Sequence, residues 1–168
     1  MSDPQQTDLQ KALAGVRAEI DSIDSELLRL LNQRARCAQK VGEIKAEHIY
    51  RPEREAQVLR RLHDANPGPL PRENITFFFR EVMSACLSLE EPLGISFLGP
   101  LGSFTGSAAT KHFGHAARLL PQASIDDVFR EVESGHAHYA VVPVENSTEG
   151  AVGRTMDLLL GTPLKICG

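Results

Sequence analysis

Residues Leu9–Lys45 read LQKALAGVRAEIDSIDSELLRLLNQRARCAQKVGEIK, a stretch without proline in which apolar side chains recur every seven positions. The apolar positions form two rows, Leu9, Val16, Ile23, Leu30, Cys37 and Ile44, and Leu13, Ile20, Leu27 and Val41. A heptad repeat of this length predicts one long α-helix. A single helix cannot bury such a seam, so we expect it to pack against further helices or a second copy of the chain, and a dimer is the default.

The second row carries a charge at one position. Arg34 stands between Leu27 and Val41, where the repeat calls for a hydrophobe, and Lys45 follows about three turns or roughly 16 Å later on nearly the same face. We expect these two cations to hold one anionic ligand. Arg17 is about 25 Å from Arg34 along the axis, so it cannot share that ligand within one helix, but an antiparallel partner helix could bring it there. The pattern equally allows Arg34 to be a register device or an interface ion pair.

Composition excludes several classes of protein. The net charge of −4 offers no basic field for nucleic acid, and no apolar run reaches the roughly 20 residues that span a membrane. The polar start MSDPQQTD lacks the apolar segment of a signal peptide, so we expect a cytoplasmic protein. The three cysteines are scattered and odd in number, which favours reduced thiols and indicates neither a metal site nor a cofactor.

Two further helices and a change of texture follow. Pro52 suits the first turn of a second helix that ends near Asn66, and a third helix is predicted from about Arg72 to Glu90. Pro92-Leu93-Gly94 then marks the best domain boundary. The sequence therefore predicts a helical domain over residues 1–93 and a second domain over residues 94–168.

Short apolar runs separated by glycine predict an α/β second domain. Ile95–Leu98 is a predicted strand that leads through a Gly-rich turn into a helix over Gly106–His112, and such a turn suits carboxylates and phosphates. Another helix is predicted over Ile125–Ser134. Tyr139–Val144 is a second predicted strand, with polar residues at its carboxyl end, where open α/β sheets place their sites.

The last part of the chain predicts one more helix and the start of a strand. Met156–Leu160 is part of the predicted helix, and Leu164–Gly168 of the predicted strand. A sheet whose last strand has no covering element indicates an incomplete α/β domain.

These residues carry a resemblance to two known families. Residues 9–91 resemble the all-helical chorismate mutase family in the spacing of Arg17, Arg34 and Lys45, in Arg54-Glu55 after Tyr50-Arg51-Pro52-Glu53, and in Glu90. Residues 95–168 resemble the first part of prephenate dehydratase in Gly99–Phe104, in Val142–Ser147 and in Glu149-Gly150. In this order they resemble the bifunctional family of phenylalanine biosynthesis. The resemblance implies a three-helix mutase domain with one very long helix, followed by an incomplete α/β domain of the periplasmic-binding-protein type.

The mutase resemblance implies a homodimer pocket that binds chorismate and forms prephenate. Arg34 would hold one substrate carboxylate and Arg17 of the partner subunit the other. Lys45 would donate to the ether oxygen of the breaking bond, Glu55 would receive the substrate hydroxyl, and Glu90 would face the ether oxygen from the other side.

Two further substrate contacts depart from the family pattern. Arg51 falls where many relatives carry Asp, and Cys86 where some carry Ser.

The dehydratase resemblance implies half of a cleft between two lobes. Its residues here would be Ser103, Thr105, Glu145, Asn146 and Ser147. The Thr-Arg-Phe type motif of the opposite lobe is absent from the sequence, as is the regulatory domain that binds phenylalanine. We therefore expect little or no dehydratase activity from these 168 residues.

An alternative of another class fits the same patterns. The helical part would then be a non-catalytic dimerisation module, fused to an α/β lobe that binds a small anion. The effect of Arg34→Ala on turnover distinguishes the two hypotheses.

Overall fold

The computed structural model describes residues 4–44, 50–89, 92–147 and 150–168, and it begins with three helices. They are α1 (Pro4–Ile44), α2 (Pro52–Ala65) and α3 (Arg72–Ser88). Both α1 and α2 pack against α3. The predicted long helix is confirmed as far as Ile44, and it begins five residues earlier than expected. Lys45 and Glu90 lie outside the described residues.

A small α/β region follows the three helices. Its elements are β1 (Gly94–Leu98), α4 (Phe104–Phe113), β2 (Arg118–Gln122), α5 (Ile125–Glu133), β3 (Tyr139–Val141), β4 (Glu145–Asn146), β5 (Gly150–Ala151) and α6 (Gly153–Gly161). The three longer strands form a parallel sheet in the order β2-β1-β3, with Phe97 opposite Pro121 and Val141. Strands β4 and β5 form a separate antiparallel ribbon. The predicted combination of a helical region with a small α/β region is confirmed.

Three details of the strands differ from the sequence prediction. β2 was not predicted, and its Pro121 is tolerated because β2 lies at the edge of the sheet. β3 ends at Val141, two residues before Pro143, which has no N–H for a ladder hydrogen bond. The predicted strand over Leu164–Gly168 is wrong, because this apolar segment pairs with no strand of the described chain and is irregular.

The core of the α/β region reaches into the helical region. Leu93, Ile95, Ala109 and Phe113 are buried together. Two residues from before the sheet, Tyr50 and Leu87, pack against them. The two regions are therefore in direct contact, and α3 also contacts α4.

The heptad face of α1 is exposed along most of its length. Leu9 is 61% and Ile20 is 50% exposed, and the other large apolar residues of both rows are similarly open. A Cβ added at Gly15 would meet nothing within 4 Å. Among the described elements, α1 contacts α3 and no other. The seam predicted from the repeat is thus largely uncovered by the described residues of this chain.

Candidate active site

A cavity of about 660 Å³ lies between the C-terminal part of α1, α2 and α3. The structure brings four of the predicted site residues to its wall. They are Arg34, Arg51, Glu55 and Cys86. Since they come from all three helices, the cavity exists only when the helices are packed.

Arg34 lies in the wall of this cavity and is half-buried. Among the described residues, no carboxylate lies within 4 Å of its guanidinium. Its guanidinium therefore makes no ion pair with a carboxylate of the described chain. Arg51 is exposed at the N-terminus of α2, and Cys86 is a buried free thiol on α3.

Glu55 is buried and held by two donors. Its Oε1 accepts a hydrogen bond from Arg80 Nε at 2.9 Å, and its Oε2 accepts one from the Tyr50 hydroxyl at 2.8 Å. Each carboxylate oxygen has more than one lone pair, so both can still accept from a ligand hydroxyl. The two donors fix where such a hydroxyl can be received.

The protonation state of Tyr50 suits this role. Burial raises the pKa of the Tyr50 phenol, and the hydrogen bond to the Glu55 carboxylate raises it further. The phenol therefore stays protonated at neutral pH and remains a donor.

Positive charge predominates around the cavity. The described lining holds five arginines, Arg34, Arg51, Arg54, Arg61 and Arg80, and one carboxylate, Glu55. Only Arg80 among these arginines pairs with a carboxylate of the described residues. A cavity with four guanidiniums that lack such a partner suits a ligand with more than one negative charge.

Sequence reasoning missed several of these residues. Arg80 follows three phenylalanines, and its role depends on meeting Glu55, which is 25 positions away in the chain. Arg54 and Arg61 are seven residues apart and share one face of α2, which is a signal that the sequence contains. His112 of α4 also lines the cavity, and no helical period of the first domain predicts that.

Arg17 is not brought to this cavity within one chain. It is exposed on α1, and by helix geometry it lies about 25 Å from Arg34 along the axis. The two residues predicted to act on the ether oxygen, Lys45 and Glu90, fall outside the described ranges.

The five residues predicted for the half site of the α/β region make local hydrogen bonds or are exposed. Ser103 caps α4, since its Oγ accepts from Gly106 N at 3.2 Å, and both Ser103 and Thr105 donate to Leu98 O. Glu145, Asn146 and Ser147 are exposed in and after β4. None of these five predicted residues lines either of the two cavities that we describe.

The described residues hold neither a metal cluster nor a membrane span. No three of their His, Cys, Asp or Glu side chains are grouped as metal ligands would be. None of the helices in the described part of the chain is both long and apolar enough to cross a bilayer.

Comparison with known proteins adds two family matches. Residues 16–91 match the chorismate mutase type II family, and residues 95–168 match the prephenate dehydratase family. A solved chorismate mutase from Thermus thermophilus is 39% identical, with a TM-score of 0.46, over 48% of this chain and 94% of that one.

Two curated relatives carry both names in one chain. A bifunctional chorismate mutase/prephenate dehydratase of Neisseria gonorrhoeae is 58% identical over 153 residues, which are 90% of this chain and 42% of the relative. One of Pseudomonas aeruginosa is 50% identical over 167 residues, covering 95% of this chain and 46% of the relative. The chain thus spans less than half the length of these relatives. It belongs to the chorismate mutase type II family over residues 16–91 and to the prephenate dehydratase family over residues 95–168.

Proposed function

We propose that this chain is a chorismate mutase, which converts chorismate to prephenate by a [3,3] rearrangement in phenylalanine biosynthesis. The observation that carries the proposal is Arg34, a half-buried guanidinium that faces no carboxylate of the described chain and lines a 660 Å³ cavity. A cation in that setting fits one carboxylate of a small dianion. The size and charge of the cavity suit such a substrate.

The reaction itself needs no nucleophile and no proton transfer. The ether C–O bond breaks while a C–C bond forms in one concerted step. The protein's task is therefore to hold the flexible dianion in the compact conformer in which the two carbons approach. Arg34 would hold one carboxylate, and Arg17 of the partner subunit would hold the other.

The remaining predicted residues would act on the oxygens of the substrate. Negative charge develops on the ether oxygen as its bond breaks, so a donor at Lys45 would stabilise the transition state more than the ground state. Glu90 would face the same oxygen from the other side, and Glu55 would receive the hydroxyl. Arg51 and Cys86 complete the proposed contacts from α2 and α3.

The proposal includes a homodimer. The exposed apolar rows of α1 would be buried by the same rows of a second chain, which would also bring Arg17 to the cavity. An apolar face of this length is far larger than a soluble monomer usually leaves open.

The α/β region would be part of a prephenate dehydratase, which forms phenylpyruvate. We propose that residues 94–168 form this second domain, after a mutase domain of residues 1–93. Little dehydratase turnover by these residues stays a prediction, supported by the use of the Ser103 and Thr105 hydroxyls in local hydrogen bonds. The cytoplasmic location also stays a prediction.

Replacement of Arg34 tests the mutase proposal. We expect Arg34→Ala to lower the rate of chorismate loss by about a hundredfold or more, because the substrate loses its main anchor. The matched control is Arg29→Ala on the same helix, where the exposed guanidinium pairs with Glu26. The control should keep wild-type turnover and dimer size. Unchanged turnover in Arg34→Ala, or an altered assembly alone, would favour the dimerisation module.

A mixing experiment tests whether one pocket uses two chains. Arg17→Ala and Arg34→Ala should each be inactive, yet a heterodimer of the two has one pocket with both arginines intact. Unfolding and refolding the two variants together should therefore restore about a quarter of the wild-type rate, because about half of the dimers are mixed. No recovery in mixtures that contain heterodimers would contradict a shared pocket.

A further inference from the structure

Helix α4 reaches from the α/β region into the wall of the helical cavity. His112 and Phe113, at its C-terminal end, line the candidate mutase cavity. The same two residues line a second cavity of about 650 Å³ in the α/β region. The end of α4 is therefore a partition between the two cavities.

This end of α4 is seated directly on α3. Gly114 follows α4 with a φ of 80°, and a Cβ added there would lie 2.5 Å from the Cβ of buried Ser84. His115 then contacts Glu81 of α3, with 2.9 Å between Nδ1 and Oε1. Only glycine allows this approach, so the two regions are fixed relative to each other at this point.

Tyr50 connects the contact between the regions to Glu55. Its ring lies 5.5 Å from the rings of both Phe113 and Tyr139, and the Tyr139 hydroxyl donates to the Tyr50 carbonyl at 3.1 Å. At its other end, the Tyr50 hydroxyl donates to Glu55 Oε2. The α/β region thus packs against Tyr50 and hydrogen-bonds with its carbonyl, and the Tyr50 hydroxyl in turn donates to the Glu55 carboxylate.

We propose that Tyr50 is a positioning residue, held in place by the α/β region, that orients the Glu55 carboxylate in the mutase cavity. The inference rests on the proposed function, in which Glu55 receives the substrate hydroxyl. That hydroxyl does not react, so its hydrogen bond contributes equally to substrate and transition-state binding. Loss of the orientation should therefore raise KM and leave kcat nearly unchanged.

Two variants of the 168-residue chain disturb this arrangement from opposite ends. Tyr50→Phe removes only the hydroxyl that donates to Glu55 and keeps the ring packing. Gly114→Ala places a methyl group against Ser84 and displaces α4 from α3. The matched control is Gly135→Ala, which has the same backbone strain, with a φ of 78°, but a Cβ there meets nothing within 4 Å.

Steady-state kinetics with chorismate tests the proposal, with thermal unfolding to verify that each variant is folded. We expect Tyr50→Phe and Gly114→Ala each to raise KM about tenfold and to keep kcat within about twofold of the wild type. A tenfold change in KM corresponds to the loss of one hydrogen bond to a charged group. The double variant should raise KM by much less than the product of the two, since both act on one carboxylate. Gly135→Ala should keep the wild-type KM.

The outcomes separate this inference from the mutase proposal. A wild-type chain that does not convert chorismate would overturn both. An active wild type with unchanged KM in Tyr50→Phe, or with equal effects of Gly114→Ala and Gly135→Ala, would overturn only the positioning role.

Discussion

The long helix α1 and the central strand β1 differ in how far their apolar residues are buried. In α1, Leu9 is 61% and Ile20 is 50% exposed, whereas Ile95 and Phe97 of β1 are fully buried. The difference follows from topology, because a sheet with crossover helices covers its own strands, while a single long helix has too few neighbours. The central strand of the α/β region is covered within the described chain, whereas the apolar rows of α1 are left open.

This difference bears on where each site obtains its residues. A region that is completed by a second chain can place a cation from each chain in one pocket, as the mutase proposal requires of Arg17 and Arg34. A parallel sheet covered by its own crossover helices supplies its groups from nearby strand ends and turns. The contrast can be broken or sharpened by the three experiments below.

The largest effect is expected where the contrast depends on exposure in α1. Ile20→Glu keeps a good helix former but places a charge in the middle of the proposed dimer seam. We expect the dimer to dissociate and mutase turnover to fall by about a hundredfold, because Arg17 no longer reaches the second pocket. Light scattering after size exclusion, together with loss of chorismate, measures both effects.

The matched control changes an exposed leucine of the other region. Leu160 on α6 is 89% exposed, and Leu160→Glu should alter neither the size of the particle nor its turnover. A monomeric wild type, or a dimer that survives Ile20→Glu, would show that the open face of α1 has another purpose.

The sequence predicted the helices well because their signal is local and repeated. The rows from Leu9 to Ile44 contain the same period several times, and Pro52 and Pro92 mark ends that depend on one residue. β2 was missed because its five residues, with Pro121 among them, are held in a strand by parallel pairing with β1, 24 positions earlier in the chain. For the opposite reason, Leu164–Gly168 was overpredicted, since apolar residues without a neighbouring strand do not form one.

The site shows the same division. Arg34 could be found from the sequence because it interrupts a regular row, and Glu55 because it belongs to a family motif. Arg80 and Tyr50 could not, since their importance comes from meeting the Glu55 carboxylate in the folded chain. The approach of His112 depends on how two regions pack, which no local pattern encodes.

A smaller effect, on the pH dependence of stability, is expected at the contact between the two regions. Tyr50 and Tyr139 are the only tyrosines of the sequence, and burial raises the pKa of both phenols. A phenol whose pKa is higher in the folded state than in the unfolded state favours folding as long as it is protonated. This contribution is fully present below the pKa of about 10 that tyrosine has in the unfolded chain, and it is lost as the pH rises further. The free energy of unfolding should therefore fall by about 1 kcal/mol between pH 10 and 11, since partial exposure weakens the effect.

Urea denaturation across this pH range measures the fall in the free energy of unfolding. Tyr50→Phe cannot ionise at this position, so its stability should fall less steeply than that of the wild type. If the variant and the wild type lose stability in parallel, then the pKa of Tyr50 is the same in the folded and unfolded states. The proposed burial and hydrogen bonding of its phenol would then be incorrect.

An effect of similar size on the free energy of unfolding is expected in the buried strand β1. The Ser96 hydroxyl in β1 is buried, and no described residue hydrogen-bonds with it, an arrangement that costs roughly 1–3 kcal/mol. Ser96→Ala should therefore raise the free energy of unfolding in urea by about 1 kcal/mol, net of a lower strand propensity. Ser124→Ala makes the same chemical change where the hydroxyl caps α5 by accepting from Asp127 N, and it should lower that free energy by about 1 kcal/mol. A gain for Ser96→Ala with a loss for Ser124→Ala would show that the buried Ser96 hydroxyl has no hydrogen-bond partner, whereas a loss in both would mean that it has one.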